Sequence, residues 1–365
     1  MEELVVITPE LKPGTGGLAD YTLFLLGNLG TIENLRLLIP SRGFNDASVS
    51  EYRVEELARH RAAIFRQLPQ SGGKVLLQYS AYGFDQLGFP RALLQALVDW
   101  KQKTGGRLVV MLHEIWAFRP IISKHFVVQW LHRRALKRLV ESSDVVFTST
   151  ASQLDHLRAL SASAPLRILP VGSNIRPSSI DRSSRTPGWT VVFGLQQNRL
   201  RTLQRMRQDL QALAEAGQIT KIISIGDNAD PRLHEEEREL LASLSLREGF
   251  EQRGRTSEEE ISATLATASF GLFGQSELSY AKSGTFMAYA AHELNVLAEF
   301  ADASKPEPVC WLVAPQELHR GLSQEELKQR AQRLRLWQQQ ASSWPVIATS
   351  FAAALNPNES GKVGR

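Results

Sequence analysis

Short, nearly unbroken runs of Val, Ile, Leu and Phe recur along this chain, and they restrict its fold more than any other feature. ELVVITP, LRLLIP, KVLLQYS, RLVVMLHE and DVVFTST occupy the first half, and TVVFGL, KIISIG and ASFGLFG follow in the second. A strand that is apolar on both faces belongs in a parallel sheet covered by helices on both sides. Amphipathic segments do separate the runs, and their patterning predicts helices over 52–68, 90–104, 125–142, 200–216, 232–247, 257–267 and 285–293. No repeat of solenoid length is present. The predicted class is α/β, with two such sheets, because 365 residues exceed what one core usually serves. The stretch RPSSIDRSSRTPGWT, 176–190, has no apolar period and reads as the linker between the two domains. Two domains set up a cleft.

Composition narrows the function. Hydrophobic residues make up 43% and charged residues 22%, the balance of a soluble globular protein rather than a disordered one. The net charge of +4 comes from 42 basic and 38 acidic residues that are interspersed, so nucleic acid is not the expected partner. A single cysteine, Cys310, excludes an internal disulfide framework, and no signal segment or spanning run is visible. The expected compartment is the cytoplasm.

Strand ends carry polar and glycine residues that a buried sheet does not require, and ligands of open parallel sheets collect at carboxyl ends. In PELKPGTGGLADYT, Gly14, Gly16 and Gly17 fall between a strand and a helix, where backbone amides can approach an anion or form a plain turn. The full dinucleotide fingerprint is missing. In VVMLHEIW, His113 and Glu114 follow the apolar strand. The histidine can orient a hydroxyl or a sugar, and the carboxylate can hold its ring or receive an acceptor's hydrogen bond; capping of the next segment is the alternative. In QSELSYAKSGTFMAYAAHE, Lys282, Ser283, Gly284 and Thr285 precede an Ala-rich helix. Hydroxyls, free amides, a helix dipole and one cation converge there as a diphosphate cradle would need, although Ser283 or Thr285 caps the helix in any case. In FGLQQNRLR, Gly194 ends a strand and Arg199 and Arg201 follow, candidates for phosphate contact or for a solvated helix face.

Taken in order, the glycine-rich first loop, LHEIW, DVVFTSTASQLDHL, ILPVGSNI and YAKSGTFMAYAAHELNVL resemble the family 4 glycosyltransferases of the GT-B fold, over most of residues 4–300. The resemblance implies two facing Rossmann-like domains, an acceptor-side domain over 1–175 and a nucleotide-sugar-binding domain over 191–323. It also implies C-terminal helices over 324–356, the last crossing back to the first domain, before a flexible tail at 357–365. It implies transfer of a sugar from a nucleotide donor with retention, without a metal, and with no cofactor beyond the nucleotide sugar as co-substrate. Glucose from a UDP donor is the first expectation, with a glycan or lipid-linked acceptor. The chain departs from the family pattern where two glutamates eight residues apart are usual. Tyr280 and Ala288 stand there, with Glu277 the nearest substitute for the first, and Leu195 stands where an arginine is common.

On this reading Ser283, Gly284 and Thr285, with Lys282 and Arg199 or Arg201, bind the diphosphate. Gly16, Gly17, Gly194 and Glu277 shape the donor site, and His113 and Glu114 face the sugar and acceptor. No Ser–His–Asp arrangement or metal-ligand cluster is visible, and His125, His132 and His156 read as surface or helix-face residues. Two other readings use the same fold: a nucleotide-sugar epimerase, and a non-catalytic partner of another glycosyltransferase, the latter consistent with the missing glutamates. Residues 125–139 set Val128, Leu131, Ala135 and Leu139 on one face and Arg133, Arg134, Lys137 and Arg138 elsewhere. That pattern fits either peripheral contact with anionic lipid or a core-packed helix with a basic outer side.

Overall fold

Every strand pairing among the described residues of the computed structural model is parallel, as the Val/Ile/Leu runs predict. The structure describes residues 3–11, 17–41, 52–115, 126–177 and 185–357. Their contacts divide the chain into two units, Met1–Val171 with Trp344–Arg365, and Gly172–Ser343. The division thus falls at Val171, a few residues before the stretch read as the linker.

The first unit holds β1 (Leu4–Ile7), β2 (Leu35–Ile39), β3 (Arg53–Glu56), β4 (Lys74–Ser80), β5 (Arg107–Glu114), β6 (Val145–Thr148) and β7 (Leu166–Ile168). They lie in the order β3-β2-β1-β4-β5-β6-β7. Val5, Ile7, Val75, Leu77, Val110 and Leu112 are buried from these strands, and helix Arg91–Thr104 covers them with Leu94, Leu97 and Trp100. Burying each such side chain contributes about 1.5–3 kcal/mol. The Trp100 indole still finds a partner, donating to the Pro69 carbonyl at 2.7 Å. Helix Trp344–Leu355 returns to this unit and packs on helix Gly17–Asn28 and on β5. Trp344 stacks on Phe24, ring centres 5.1 Å apart, and Phe351 meets Phe147 at 4.7 Å.

One expectation is corrected here. Residues 52–68 are not one helix: β3 forms an edge strand and only Arg61–Gln67 is helical. Arg36 on β2 reaches across to Glu55 at 3.1 Å, and this cross-strand pairing with the ladder overrides the helical pattern of a short charged segment.

The second unit contains β8 (Trp189–Phe193), β9 (Lys221–Ile225), β10 (Phe250–Arg253), β11 (Phe270–Leu272) and β12 (Asn295–Leu297), in the order β10-β9-β8-β11-β12. Its core joins Val192, Ile222, Phe270 and Leu297 to Leu203, Leu210, Leu213 and Leu241 from the covering helices. The predicted helix 200–216 is two, Gln196–Arg205 and Arg207–Glu215, broken at Met206, whose φ of −90° and ψ of 7° lie outside the helical region. Helix starts follow their sequence signals. Asp230 precedes Pro231 and accepts from Arg232 N at 2.9 Å, and Ser257 with Glu260 and Ser323 with Glu326 form capping boxes.

Candidate active site

At the carboxyl end of the first sheet, β4 and β5 carry their polar residues to one place. His113 shares a hydrogen bond of 2.7 Å between Nε2 and Gln78 Oε1. With the amide oxygen as acceptor, Nε2 carries the proton and Nδ1 is left as the lone pair. The edge of the His113 ring meets Tyr21, centroids 4.8 Å apart at 80°. Gln153 donates to the His113 carbonyl at 3.1 Å and receives the Thr148 hydroxyl at 2.8 Å, which fixes the strand end against the following helix. Burial pushes the His113 pKa down to about 3, so the ring is neutral in ordinary buffers and can serve a ligand only as an uncharged group. Glu114 is exposed, and its carboxylate accepts from Ser80 Oγ at 3.0 Å. Tyr21 Oη, Gln78 Nε2 and Ser149 Oγ are buried with no hydrogen-bond partner among the described residues. Gly17 opens helix Gly17–Asn28 with open space where a Cβ would be; Gly14, Gly16, Trp116 and His125 lie outside the described residues.

At the carboxyl end of the second sheet, β8 stops at Phe193 and Gly194 turns away with φ of 128°, a backbone conformation that excludes most side chains. Helix Gly284–Ala291 begins beside it. Ser283 is its N-cap, Oγ accepting from Phe286 N at 3.3 Å, and Thr285 Oγ1 donates to the Phe193 carbonyl at 3.3 Å. Tyr289 ties the same helix to β8, receiving Phe193 N at 2.9 Å and donating to Val191 O at 3.2 Å. Gly194, Ser283, Gly284 and Thr285, separated by some ninety residues of sequence, are therefore brought together. The amides of Gly284 and Thr285 make no hydrogen bond to the described residues. A Cβ on Gly284 would meet nothing nearer than Asn174 at 3.7 Å. Lys282 is exposed and has no acidic partner among the described residues. A helix start with unpaired amides, a glycine that carries no side chain and a nearby cation can receive an anion.

Other candidates take different roles. Arg199 is 1% exposed and its guanidinium is fully committed. It bonds Ser224 Oγ at 2.9 Å, the Gly194 carbonyl at 2.7 Å, the Asp227 carbonyl at 3.2 Å and Asn228 Oδ1 at 2.5 Å, and it pairs with buried Glu237 at 3.2 Å. It has no donor to spare for phosphate, so its expected ligand contact is replaced by a structural one: it clamps the turns that follow β8 and β9. Arg201, two residues on, is exposed on another face of the same helix. Glu277 is paired with Lys305 at 2.6 Å. Tyr280 packs against Phe286 and Trp337, centroids 5.3 and 6.1 Å away. Ala288 is fully buried, so no side chain from that position reaches a ligand. His132 is not a surface residue; it is buried and shares a 2.6 Å hydrogen bond with Tyr79 Oη.

Gln78, Tyr21 and Tyr289 were missing from the sequence-derived candidates. The signal for the first was a polar residue inside KVLLQYS, an apolar run where burial demands a partner. Among the described residues no cluster of His, Cys, Asp and Glu could hold a metal ion, and no helix is long and apolar enough to cross a membrane.

Two parallel Rossmann-like sheets, each bearing its polar residues at the carboxyl ends of the strands, place the chain in the GT-B fold class. Solved structures agree in fold. A sucrose-phosphate synthase from Thermosynechococcus elongatus superposes with a TM-score of 0.64 at 15% identity, covering 99% of this chain and 100% of that one. HepE from Anabaena, in complex with UDP and glucose, gives 0.63 at 13% identity with 98% and 100% covered. WaaG, a glycosyltransferase involved in lipopolysaccharide biosynthesis, gives 0.58 at 13% with 96% and 99% covered. No protein-family model and no curated protein sequence matches the chain.

Proposed function

We propose that this protein is a glycosyltransferase of a divergent branch of family 4, moving a hexose from a nucleotide sugar to a glycan or lipid-linked acceptor with retention. UDP-glucose is the first donor to try. The observation that carries the reading is the start of helix Gly284–Ala291, where the Gly284 and Thr285 amides are unpaired beside an exposed Lys282 with no acidic partner among the described residues. As the anomeric C–O bond breaks, negative charge grows on the departing diphosphate, and preorganised amides with a cation stabilise it. The fold supports the same use, since ligands of open parallel sheets lie at carboxyl ends. At the other sheet neutral His113, held by Gln78, offers a lone pair to a sugar hydroxyl, and exposed Glu114 is available to an acceptor hydroxyl. The scheme needs no metal and no covalent nucleophile.

A screen of UDP-, GDP- and ADP-sugars, following release of free nucleotide, tests this reading. Lys282→Ala is expected to slow the active donor roughly 10²–10³-fold, the usual cost of one transition-state donor. Unchanged turnover would remove the leaving-group role. A second reading, a non-catalytic partner of another transferase, is favoured by buried Ala288 and by Glu277 being neutralised by Lys305. Absence of both nucleotide binding and donor hydrolysis would select it. The Glu277–Lys305 pair also weakens the epimerase reading, which needs two carboxylates free for proton transfer.

A further inference from the structure

At the amino ends of β8, β9, β11 and β12, the opposite edge of the second sheet from Gly194 and Ser283, lies a cavity of about 710 Å³. Its size falls within the roughly 300–1,000 Å³ of small-molecule sites. Asn295 and Gln218 line it from the sheet side, and Leu318, Leu322 and Leu327 from helix Pro315–Gly321, the turn after it and the start of helix Gln324–Ser342. A gap left by ordinary packing would be filled by apolar side chains alone. Here two amides meet it. Asn295, 8% exposed, donates Nδ2 to Ser269 O at 3.3 Å, and Gln218 donates Nε2 to Leu318 O at 2.6 Å. Those bonds fix which end of each amide is the oxygen, and Asn295 Oδ1 and Gln218 Oε1 are buried with no donor among the described residues. Buried acceptors are ordinarily satisfied. The lining holds no carboxylate. Its cations are exposed Lys328 and Arg185, whose terminal nitrogens donate to Ala268 O and His292 O. A cationic ligand would be repelled by both, and an anion would meet two carbonyl oxygens. An uncharged molecule bearing several hydroxyls can donate to those oxygens while its C–H groups lie against three leucines.

We propose that this cavity is a second ligand site, for an uncharged saccharide, with Asn295 and Gln218 accepting from its hydroxyls and Leu318, Leu322 and Leu327 against its ring. A saccharide held there lies at the far edge of the sheet from the candidate anion site, so it is not the one undergoing transfer. The proposal uses no residue of the candidate donor and acceptor positions, and either can fail without the other.

Methyl NMR on the full chain with labelled leucine tests it, with glucose, galactose, mannose, N-acetylglucosamine and maltose at millimolar concentrations as probes. At least one is expected to shift the Leu318, Leu322 and Leu327 methyls saturably, and to do so equally in the presence of UDP. Gln324 is exposed in the lining, so Gln324→Trp should melt as the parent does while its indole blocks the cavity and abolishes those shifts. Gln329→Trp, exposed on the same helix but outside the lining, should bind as the parent does. Gln218→Met keeps the volume and loses the acceptor; the dissociation constant is expected to rise about 2–12-fold, the worth of one hydrogen bond. Unaltered binding in either the Gln324→Trp or the Gln218→Met variant overturns the proposal, as do shifts confined to leucines elsewhere. Saturation by glucose 6-phosphate but by no uncharged sugar also overturns it, marking an anion site. Absence of any saturable shift across the panel does the same and leaves the cavity to water.

Discussion

Replacing Arg199 by Met separates a structural clamp from a ligand contact. The wild-type guanidinium is 1% exposed, lies 3.2 Å from Glu237 and donates to two backbone carbonyls, those of Gly194 and Asp227. Removing it strands the Glu237 carboxylate in the core, with the Ser224 hydroxyl the one group among the described residues still directed at it. Breaking one partner of a buried ion pair costs about 3–5 kcal/mol. For a unit of this size each kcal/mol lowers the melting temperature by about 2–4 °C, so the second unit should melt roughly 6–20 °C earlier. Calorimetry on the full chain reads this directly. Adding Glu237→Leu to the Met variant should recover much of the loss, because the stranded charge leaves with it. Lys at 199 keeps the charge but not the fork, and should fall between wild type and Met. If Met costs less than about 1 kcal/mol while nucleotide-sugar binding collapses, the clamp is wrong and the residue acts on the ligand.

Two further perturbations bear on the site and on the cores. Gly284→Ala should leave the melting temperature unchanged, since its methyl has 3.7 Å of clearance, yet weaken UDP or UDP-glucose binding in calorimetric titration by obstructing the approach to the amides; unaltered affinity would move the anion elsewhere. Burial holds the pKa of both His132 and His292 down to about 4, below the ordinary 6.5. The unfolded chain therefore takes up protons first as pH falls through 6.5. Stability measured by urea unfolding should decline from there to about pH 4, by about 1.4 kcal/mol per pH unit for each histidine. A flat profile over that window would show that these rings protonate in place.

Much of the architecture was legible because a strand covered on both faces has only apolar residues to offer. β1, β4, β5 and β9 stand out in the sequence as LVVI, KVLLQYS, RLVVMLHE and KIISI. The strands that escaped notice are short ones. β3 reads RVEE, β7 LRI, β10 FEQR and β12 NVL, and each lies at the end of its sheet; in the first three the flank without a partner strand among the described residues lets polar side chains carry no penalty, and buried β12 is only three residues long. A periodicity argument cannot find such strands, since what places them is the ladder of the neighbour.

The site shows the same division between local and distant causes. Ser283, Gly284 and Thr285 were legible because a helix start is a local device: the cap, the glycine and the unpaired amides lie within three residues. Arg199 was not, because an arginine just beyond a strand end looks the same whether it reaches for phosphate or for a buried carboxylate. Its use was decided by Ser224, Asp227, Asn228 and Glu237, all 25 or more residues away in sequence. His113 lies between the two cases. Its strand-end position marked it, but its chemistry depends on Gln78, 35 residues earlier, which holds the Nε2 proton, and on packing that keeps the ring uncharged. A neutral ring offers a lone pair and a single N–H rather than a positive charge, so the packing around His113 decides its chemistry as much as its place at the strand end does.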